Sequence, residues 1–287
     1  MSNLKNYLNN FMIDKVDLHT HTTHSDGFYT PEELILKAKL LGIKAISITD
    51  HDSISAFSEA SAIGKKTGVE VIPGVELSTD IGESEVHILG YLFDTKDKDL
   101  KGYLKFFREE RYKRACRIIE KLNSLGFTLS IDEIKLANKN SAIGRPHIAK
   151  LLYDKGYVKT YIEAFNKFIG NGCPAHIKKV HLSPQSAFKI IKDAGGLSFI
   201  AHPGKMPETL LKDLIDAGVD GIEVIHPSHS TSKVNFYKGV VNSFYLLSSG
   251  GSDFHGGKRE DDKNFGKYYV GYEILENLKK SQYRNTA

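Results

Sequence analysis

The chain has 287 residues, 40% of them hydrophobic and 26% charged, with a formal net charge of +4. This is enough chain for one large domain or a domain carrying an insertion, and the slight positive charge is compatible with an anionic substrate without demanding one. Two cysteines, Cys116 and Cys173, exclude a disulfide framework and point to a cytoplasmic protein, while no apolar run reaches the roughly 20 residues of a membrane span. The first eleven residues are polar and carry no basic stretch ahead of an apolar core, so no secretory signal is expected.

The first strand is predicted over residues 16–18. It runs into His19-Thr20-His21. Alternate residues of an extended chain share a face, so the two imidazoles can point at one spot, and imidazole is the commonest metal ligand at neutral pH. Thr30-Pro31-Glu32-Glu33 then opens a helix, with Thr30 as N-cap, Pro31 at the first helical position and Glu33 closing a capping box. Leu34, Ile35, Ala38 and Leu41 give that helix one apolar face, and Gly42 ends it. A strand over 45–48 runs into Thr49-Asp50-His51-Asp52. A helix over 58–66, a strand over 69–72 leading to Gly74-Val75-Glu76, and a strand over 86–92 containing His87 complete the first part.

The alternation breaks after Phe93. Residues 98–125 read as one long helix rich in Lys, Arg and Glu, and shorter helical patterns continue to about residue 177. Residues 97–179 are therefore expected to form a helical insertion domain between two parts of one domain, 14–96 and 180–275. Residues 1–13 and 276–287 are expected to be terminal extensions. The basic clusters at 101–117 and at Lys178-Lys179 read as solvated faces, with nucleic-acid contact as the alternative.

The rhythm then resumes. A helix over 183–194 precedes a strand over 197–200 and Ala201-His202-Pro203. A helix over 207–217, a strand over 221–224, a helix over 231–241 and a strand over 245–249 follow, ending in Gly251-Ser252-Asp253-Phe254-His255. About seven strands, most followed by a helix, fit either a barrel or an open doubly wound sheet. The polar clusters decide between them. They sit at the ends of many strands, as at the C-terminal rim of a barrel, and not at one switch point. Only His87 is placed inside a strand.

Taken singly, each motif is weak, because a buried His is more often a hydrogen-bonded core residue than a ligand. Together they resemble the PHP family, named for polymerase and histidinol phosphatase. The resemblance rests on Asp17-Leu18-His19-Thr20-His21, Ser25-Asp26-Gly27, Ile48-Thr49-Asp50-His51-Asp52, Ile72-Pro73-Gly74-Val75-Glu76, His87-Ile88-Leu89-Gly90, Gly144-Arg145-Pro146-His147, Ala201-His202-Pro203-Gly204 and Gly251-Ser252-Asp253-Phe254-His255. It runs from about Asp14 to Tyr272, insertion included.

The resemblance implies an α/β fold, a distorted seven-stranded TIM-like barrel with three divalent metal ions. It implies that His19, His21, Glu76 and Asp253 hold one ion. Glu76 would bridge to a second, held also by His87 and His202, and Asp26, His51 and His255 would hold the third. Glu76, Asp253 and His202 would stand at the reaction centre. A mixed His and carboxylate shell suits Mn²⁺, Fe²⁺ or Zn²⁺, with Mn²⁺ expected here. The lack of Cys ligands argues against a structural thiolate zinc site. Asp50 or Asp52 could orient His51. His24 reads as a surface or supporting residue, and Glu223, His226 and His229 as either substrate contacts or a polar rim.

Such centres hydrolyse phosphoesters by clamping the attacking and leaving oxygens, and no Ser or Cys nucleophile motif is visible. Arg145 offers a planar fork for a second phosphate, with His147, Lys205 and His229 as further substrate contacts. From the residues alone, a structural role for Arg145 is equally compatible. The resemblance implies a small-molecule nucleotide substrate. A nucleoside 3′,5′-bisphosphate would lose its 3′-phosphate to give the 5′-monophosphate, and short 5′-phosphorylated RNA is a further candidate. A histidinol-phosphate phosphatase, an amidohydrolase and a non-catalytic nucleic-acid-binding module are the alternatives. Nine filled ligand positions speak against the last, and the absence of a well-placed bridging lysine against the second.

Overall fold

Eight strands lie side by side in one curved sheet in the computed structural model, which describes residues 14–82, 84–137 and 142–286. Residues 1–13, expected to be an extension, lie outside the described residues. The strands are β1 (Lys15–Thr20), β2 (Ile43–Ile48), β3 (Glu70–Ile81), β4 (Ser84–Tyr91), β5 (Leu197–Ile200), β6 (Gly221–Ile225), β7 (Leu247–Gly250) and β8 (Val270–Gly271). Their spatial order is β7-β6-β5-β4-β3-β2-β1-β8. The helices are α1 (Pro31–Leu40), α2 (Phe57–Thr67), α3 (Lys98–Ser124), α4 (Ile131–Ala137), α5 (Arg145–Asp154), α6 (Tyr161–Ala164), α7 (Pro184–Asp193), α8 (Glu208–Asp216), α9 (Thr231–Ser243) and α10 (Tyr272–Thr286). None of these helices is long and apolar enough to cross a membrane.

The expected βα rhythm is present, and its local signals act as read. The Thr30 hydroxyl accepts from the Glu33 amide at 3.2 Å, while the Glu33 carboxylate accepts from the Thr30 amide at 2.8 Å. Two pairs of amide and side chain thus close the first turn of α1. Leu34, Ile35 and Ala38 of that helix are fully buried against Ile46 and Phe254.

The sheet departs from the expectation in the middle. β3 does not stop near residue 72 but continues to Ile81 and turns back as β4, with Ser78 opposite His87 and Glu76 opposite Leu89. β4 then pairs antiparallel with β5, so two parallel groups, β1-β2-β3 and β5-β6-β7, flank an antiparallel hairpin. A parallel connection needs a helical crossover, whereas a hairpin needs only a tight turn. Hence no helix signal lies between Ile81 and Ser84. Glu76, expected just after a strand, lies well inside one. The eighth strand is two residues long and pairs antiparallel with β1.

The insertion has an apolar core of its own, including Ile118, Leu122, Ile148, Leu152 and Ile169. No strand occurs among its described residues. α3 belongs to both cores: Leu100 and Leu104 pack with the barrel, and Ala115 to Leu122 with the insertion. Residues 276–286, expected to be an extension, instead belong to α10. Leu275 and Leu278 of this helix are buried under the barrel, and Lys279 pairs with Glu70 at 2.6 Å.

The sheet curls until the segment after β7 meets β1. The His21 amide donates to the Phe254 carbonyl at 2.9 Å, and the Asp17 carboxylate accepts from the Ser252 amide at 3.0 Å and the His19 amide at 3.2 Å. At this seam a Cβ on Gly251 would lie 2.4 Å from the His19 nitrogen and 2.6 Å from its Cβ. Gly→Ala at a compatible position usually stabilises by restricting the unfolded chain. Here the steric conflict dominates, and overpacking of this kind costs about 1–3 kcal/mol. Gly251→Ala is expected to lower the unfolding free energy measured by urea denaturation by that amount, and an unchanged or raised value would show that the seam has room.

Candidate metal centre

Glu76 is the middle of the site. Its carboxylate is 1% exposed and both oxygens face imidazoles. Oε1 lies 2.7 Å from His87 Nδ1 and 3.0 Å from His202 Nε2. Oε2 lies 3.2 Å from His51 Nδ1, 3.3 Å from His21 Nε2 and 3.4 Å from His19 Nε2. β1 supplies His19, the loops after β1 and β2 supply His21 and His51, β4 supplies His87, and the loop after β5 supplies His202.

The nine residues expected as ligands converge on this carboxylate and on Asp26 and Asp253. His19, His21, Glu76 and Asp253 bring donor atoms within 4.8 Å of one another, the grouping the resemblance implied. Asp26, His51 and His255 form a second such group, which His21 joins. A third contains His51, Glu76 and His87. His202 shares the Glu76 Oε1 oxygen with His87. A fourth group, His19, Glu223 and His226, was not expected.

Charge in this cluster is tightly shared. Burial by itself would raise the Glu76 carboxyl, but His51, His87 and His19 hold it well below the usual range. Burial would lower His87 and His21, yet neighbouring carboxylates push them up to about 10 and about 9. His51 and His255 go down, through burial and through the positive charge of His21 nearby. Four imidazoles packed this closely cannot all be cations.

Buried donor atoms also lack partners. His21 Nδ1 and Nε2, His51 Nδ1, His255 Nε2 and Asp26 Oδ1 make no hydrogen bond within the protein. Leaving such groups unsatisfied is costly, and several of them turned toward common points fit cations held between them. The donor set, imidazole and carboxylate without thiolate, suits divalent first-row metals.

The support around the donors was only partly expected. Glu223 is fully buried on β6; Oε1 accepts from His19 Nδ1 at 2.9 Å and Oε2 from the His202 amide at 2.6 Å. One carboxylate therefore orients residues from two sides of Glu76. A charged residue inside the apolar stretch Gly221–Ile225 was the available signal. Asp50 and Asp52 do not orient His51. Asp50 accepts from the Thr22 amide at 2.8 Å and the Ser25 hydroxyl at 2.5 Å, fixing the loop that carries Asp26. Asp52 accepts from Arg111 Nε at 2.5 Å. His24 is bonded to the Ser55 hydroxyl at 2.7 Å.

A cavity of about 960 Å³ adjoins Asp26, His51 and His87, walled by the hairpin, the insertion and the loop after β7. Its cationic side chains include Arg111, Arg114, Arg145, Lys179 and Arg259. Arg259 pairs with Asp26 and holds that carboxyl well below its usual range against the effect of burial. Arg145 lies in this wall, bonded to Glu85 at 3.1 Å and Asn171 at 3.2 Å.

Three other expected substrate contacts fall elsewhere. His147 does not line the cavity: Nδ1 accepts from the Gly144 amide at 3.1 Å and Nε2 donates to the Ser25 carbonyl at 2.9 Å. It clamps the insertion to the Asp26 loop. Lys205 is exposed and away from the cavity. His229 bonds the Val224 carbonyl at 3.0 Å at the edge of the imidazole cluster, next to His226.

The PHP domain profile matches residues 17–201. The chain is 34% identical over 250 residues to a 5′-3′ exoribonuclease of Haemophilus influenzae, covering 85% of this chain and 91% of that one. It is 35% identical over 247 residues to the 3′,5′-nucleoside bisphosphate phosphatase of Chromobacterium violaceum, covering 84% and 87%. A solved structure assigned as a metal-dependent phosphoesterase from Bifidobacterium adolescentis matches with a TM-score of 0.84 at 27% identity, covering 92% of this chain and 94% of that one.

The geometry ranks the carboxylates. Glu76→Gln keeps the shape but removes the charge between the imidazole groups, so elemental analysis should find less bound metal than in Asp253→Asn or His255→Gln. Its turnover should fall further than that of Glu223→Gln, since removing an outer partner costs about 10–100-fold. Unchanged metal content in Glu76→Gln would show that Glu76 does not hold the cluster together.

Proposed function

The chain belongs to the PHP domain family, and from that premise we propose that it removes the 3′-phosphate of nucleoside 3′,5′-bisphosphates to give 5′-monophosphates. At the coarser level it is a phosphoester hydrolase. One observation carries the reading: the imidazole cluster around the buried Glu76 carboxylate reaches, through Asp26, His51 and His87, a cavity whose wall carries six Arg and Lys side chains. A phosphate at the metal end and a second phosphate on the cations is the ligand that fits both.

Three divalent ions, Mn²⁺ in our reading with Fe²⁺ or Zn²⁺ as alternatives, would be held by His19, His21, Glu76 and Asp253; by Glu76, His87 and His202; and by Asp26, His51 and His255. When bound they supply Lewis acidity toward a phosphoryl oxygen and a nucleophile from water at neutral pH. The protein's part is positioning. Glu76, Asp253 and His202 stand closest to the scissile phosphate. Glu223 fixes the orientation of His19 and the backbone of His202, and Arg259 fixes Asp26. Arg145, on the insertion, takes the phosphate that is not cleaved, the 5′-phosphate.

The cavity size supports a second substrate class. At about 960 Å³ it lies at the upper end of small-molecule sites. That leaves room for more than one nucleotide, and we read stepwise 5′-to-3′ degradation of short 5′-phosphorylated RNA as a further activity. Histidinol phosphate, which has a single phosphate, leaves the cationic wall unused. We place the protein in the cytoplasm.

Chelation followed by gel filtration should abolish phosphate release from adenosine 3′,5′-bisphosphate, and added Mn²⁺ should restore it. Full turnover by thoroughly demetallated protein would sink the metal-dependent reading.

Arg145 distinguishes substrates. A charge-assisted contact to phosphate contributes about 1.5–3 kcal/mol, so Arg145→Ala should lower kcat/KM for the bisphosphate roughly tenfold to a hundredfold. An aryl phosphate lacking the second phosphate should be hydrolysed as before. Arg145→Lys should rescue only in part, because it keeps the charge without the fork. Equal losses on both substrates, with metal content intact, would show that Arg145 does not read the second phosphate.

A further inference from the structure

A second cavity, of about 290 Å³, adjoins the first, and the two share Glu85, Arg114, Arg145 and Lys179 in their walls. Beyond that junction its wall includes Asp80, Asn171 and Lys178. Glu85 is paired with Arg145 and Lys179, each at 3.1 Å, and Asp80 Oδ1 lies 2.6 Å from His181 Nδ1.

Two cations remain. Arg114, half-buried, donates from Nε to the Ile177 carbonyl at 2.7 Å, and among the described residues its terminal nitrogens meet no acceptor. Burial and the neighbouring charge of Arg145 lower its guanidinium to about 10, against the opposing effect of Glu85. Lys178 is exposed and, among the described residues, has no acidic partner. An arginine fork with its terminal nitrogens unengaged among the described residues, at the neck between two connected cavities, is suited to a phosphate group.

We infer that the second cavity is an anion subsite for the distal phosphate of a 5′-diphosphate. The enzyme then also takes nucleoside 5′-diphosphates that carry a 3′-phosphate. This rests on the proposed reading that Arg145 holds the 5′-phosphate. The two phosphates of a diphosphate share one bridging oxygen, so a first phosphate on Arg145 puts the second at the neck, facing Arg114, with Lys178 beyond. The reaction itself is unchanged. Water's oxygen bonds to the 3′-phosphorus, the bond from phosphorus to the 3′-oxygen breaks, and a proton passes to that oxygen. The products are the nucleoside 5′-diphosphate and inorganic phosphate.

The test compares ADP with AMP by calorimetry on the metal-loaded enzyme, and adenosine 5′-diphosphate 3′-phosphate with adenosine 3′,5′-bisphosphate by phosphate release. ADP should bind about tenfold more tightly than AMP, one charge-assisted contact's worth. Lys178→Glu, whose side chain lines only the second cavity, should erase that advantage and leave bisphosphate hydrolysis unchanged. Arg114→Ala should erase it as well. The inference is overturned if wild-type enzyme binds ADP no better than AMP, or if Lys178→Glu weakens both nucleotides equally. Should the bisphosphate itself not be hydrolysed, the proposed reaction fails, and the ADP–AMP comparison still decides the fate of the second subsite.

Discussion

A buried carboxylate has to find positive charge, and the upper end of this barrel is arranged around that requirement at Glu76. Moving an ionised carboxylate out of water is expensive unless its charge is matched at close range. Glu76 sits within β3, with no exposed surface to speak of, and imidazoles from four separate chain segments besides β1 approach its two oxygens. The matching is incomplete in the protein alone. Some imidazoles are driven toward the charged form and others away from it, and several of their nitrogens make no hydrogen bond. Cations between these groups would resolve both tensions, and the remaining features of the site follow from holding the donors still. Glu223 fixes two of them, Asp50 braces the Asp26 loop, and the seam at Gly251 brings the loop after β7 against β1.

Much of this was readable in the chain. His19 and His21 share a face because extended residues alternate, and Thr30 to Glu33 cap a helix because their side chains reach their own backbone. Those are interactions over two or three residues. What remained hidden depends on pairings between distant residues. The β3–β4 hairpin extends through Ser78, Thr79 and Asp80, whose polarity resembles a loop; Thr79 is nonetheless buried and its hydroxyl bonds the Val86 carbonyl at 2.6 Å. Arg111 finds Asp52 and Arg259 finds Asp26 only through the tertiary fold. His147 drew attention by its place beside Arg145, but a motif cannot say which of two neighbours turns toward the cavity. Glu223 was visible as a charge within an apolar strand, and its function became definite only when His19 and His202 appeared beside it.

The division of labour between barrel and insertion has a physical basis. The barrel holds the metal donors on strands and the loops directly attached to them, where backbone pairing limits movement. The insertion has its own apolar core and touches the donors' loops at few points, chiefly through His147 on the Ser25 carbonyl. α3 joins the two cores, and its Arg111 and Arg114 reach the cavity from between them. In the proposed reading, cations on this element choose among phosphorylated ligands, while the chemistry stays with the barrel.

The most direct test of the Glu76-centred cluster is the anomalous difference map of a crystal grown with Mn²⁺. Three peaks are predicted: one among His19, His21, Glu76 and Asp253, one among Glu76, His87 and His202, and one among Asp26, His51 and His255. A map without anomalous density between these side chains, in protein that is folded and saturated with Mn²⁺, would contradict the assignment of the cluster as a metal centre.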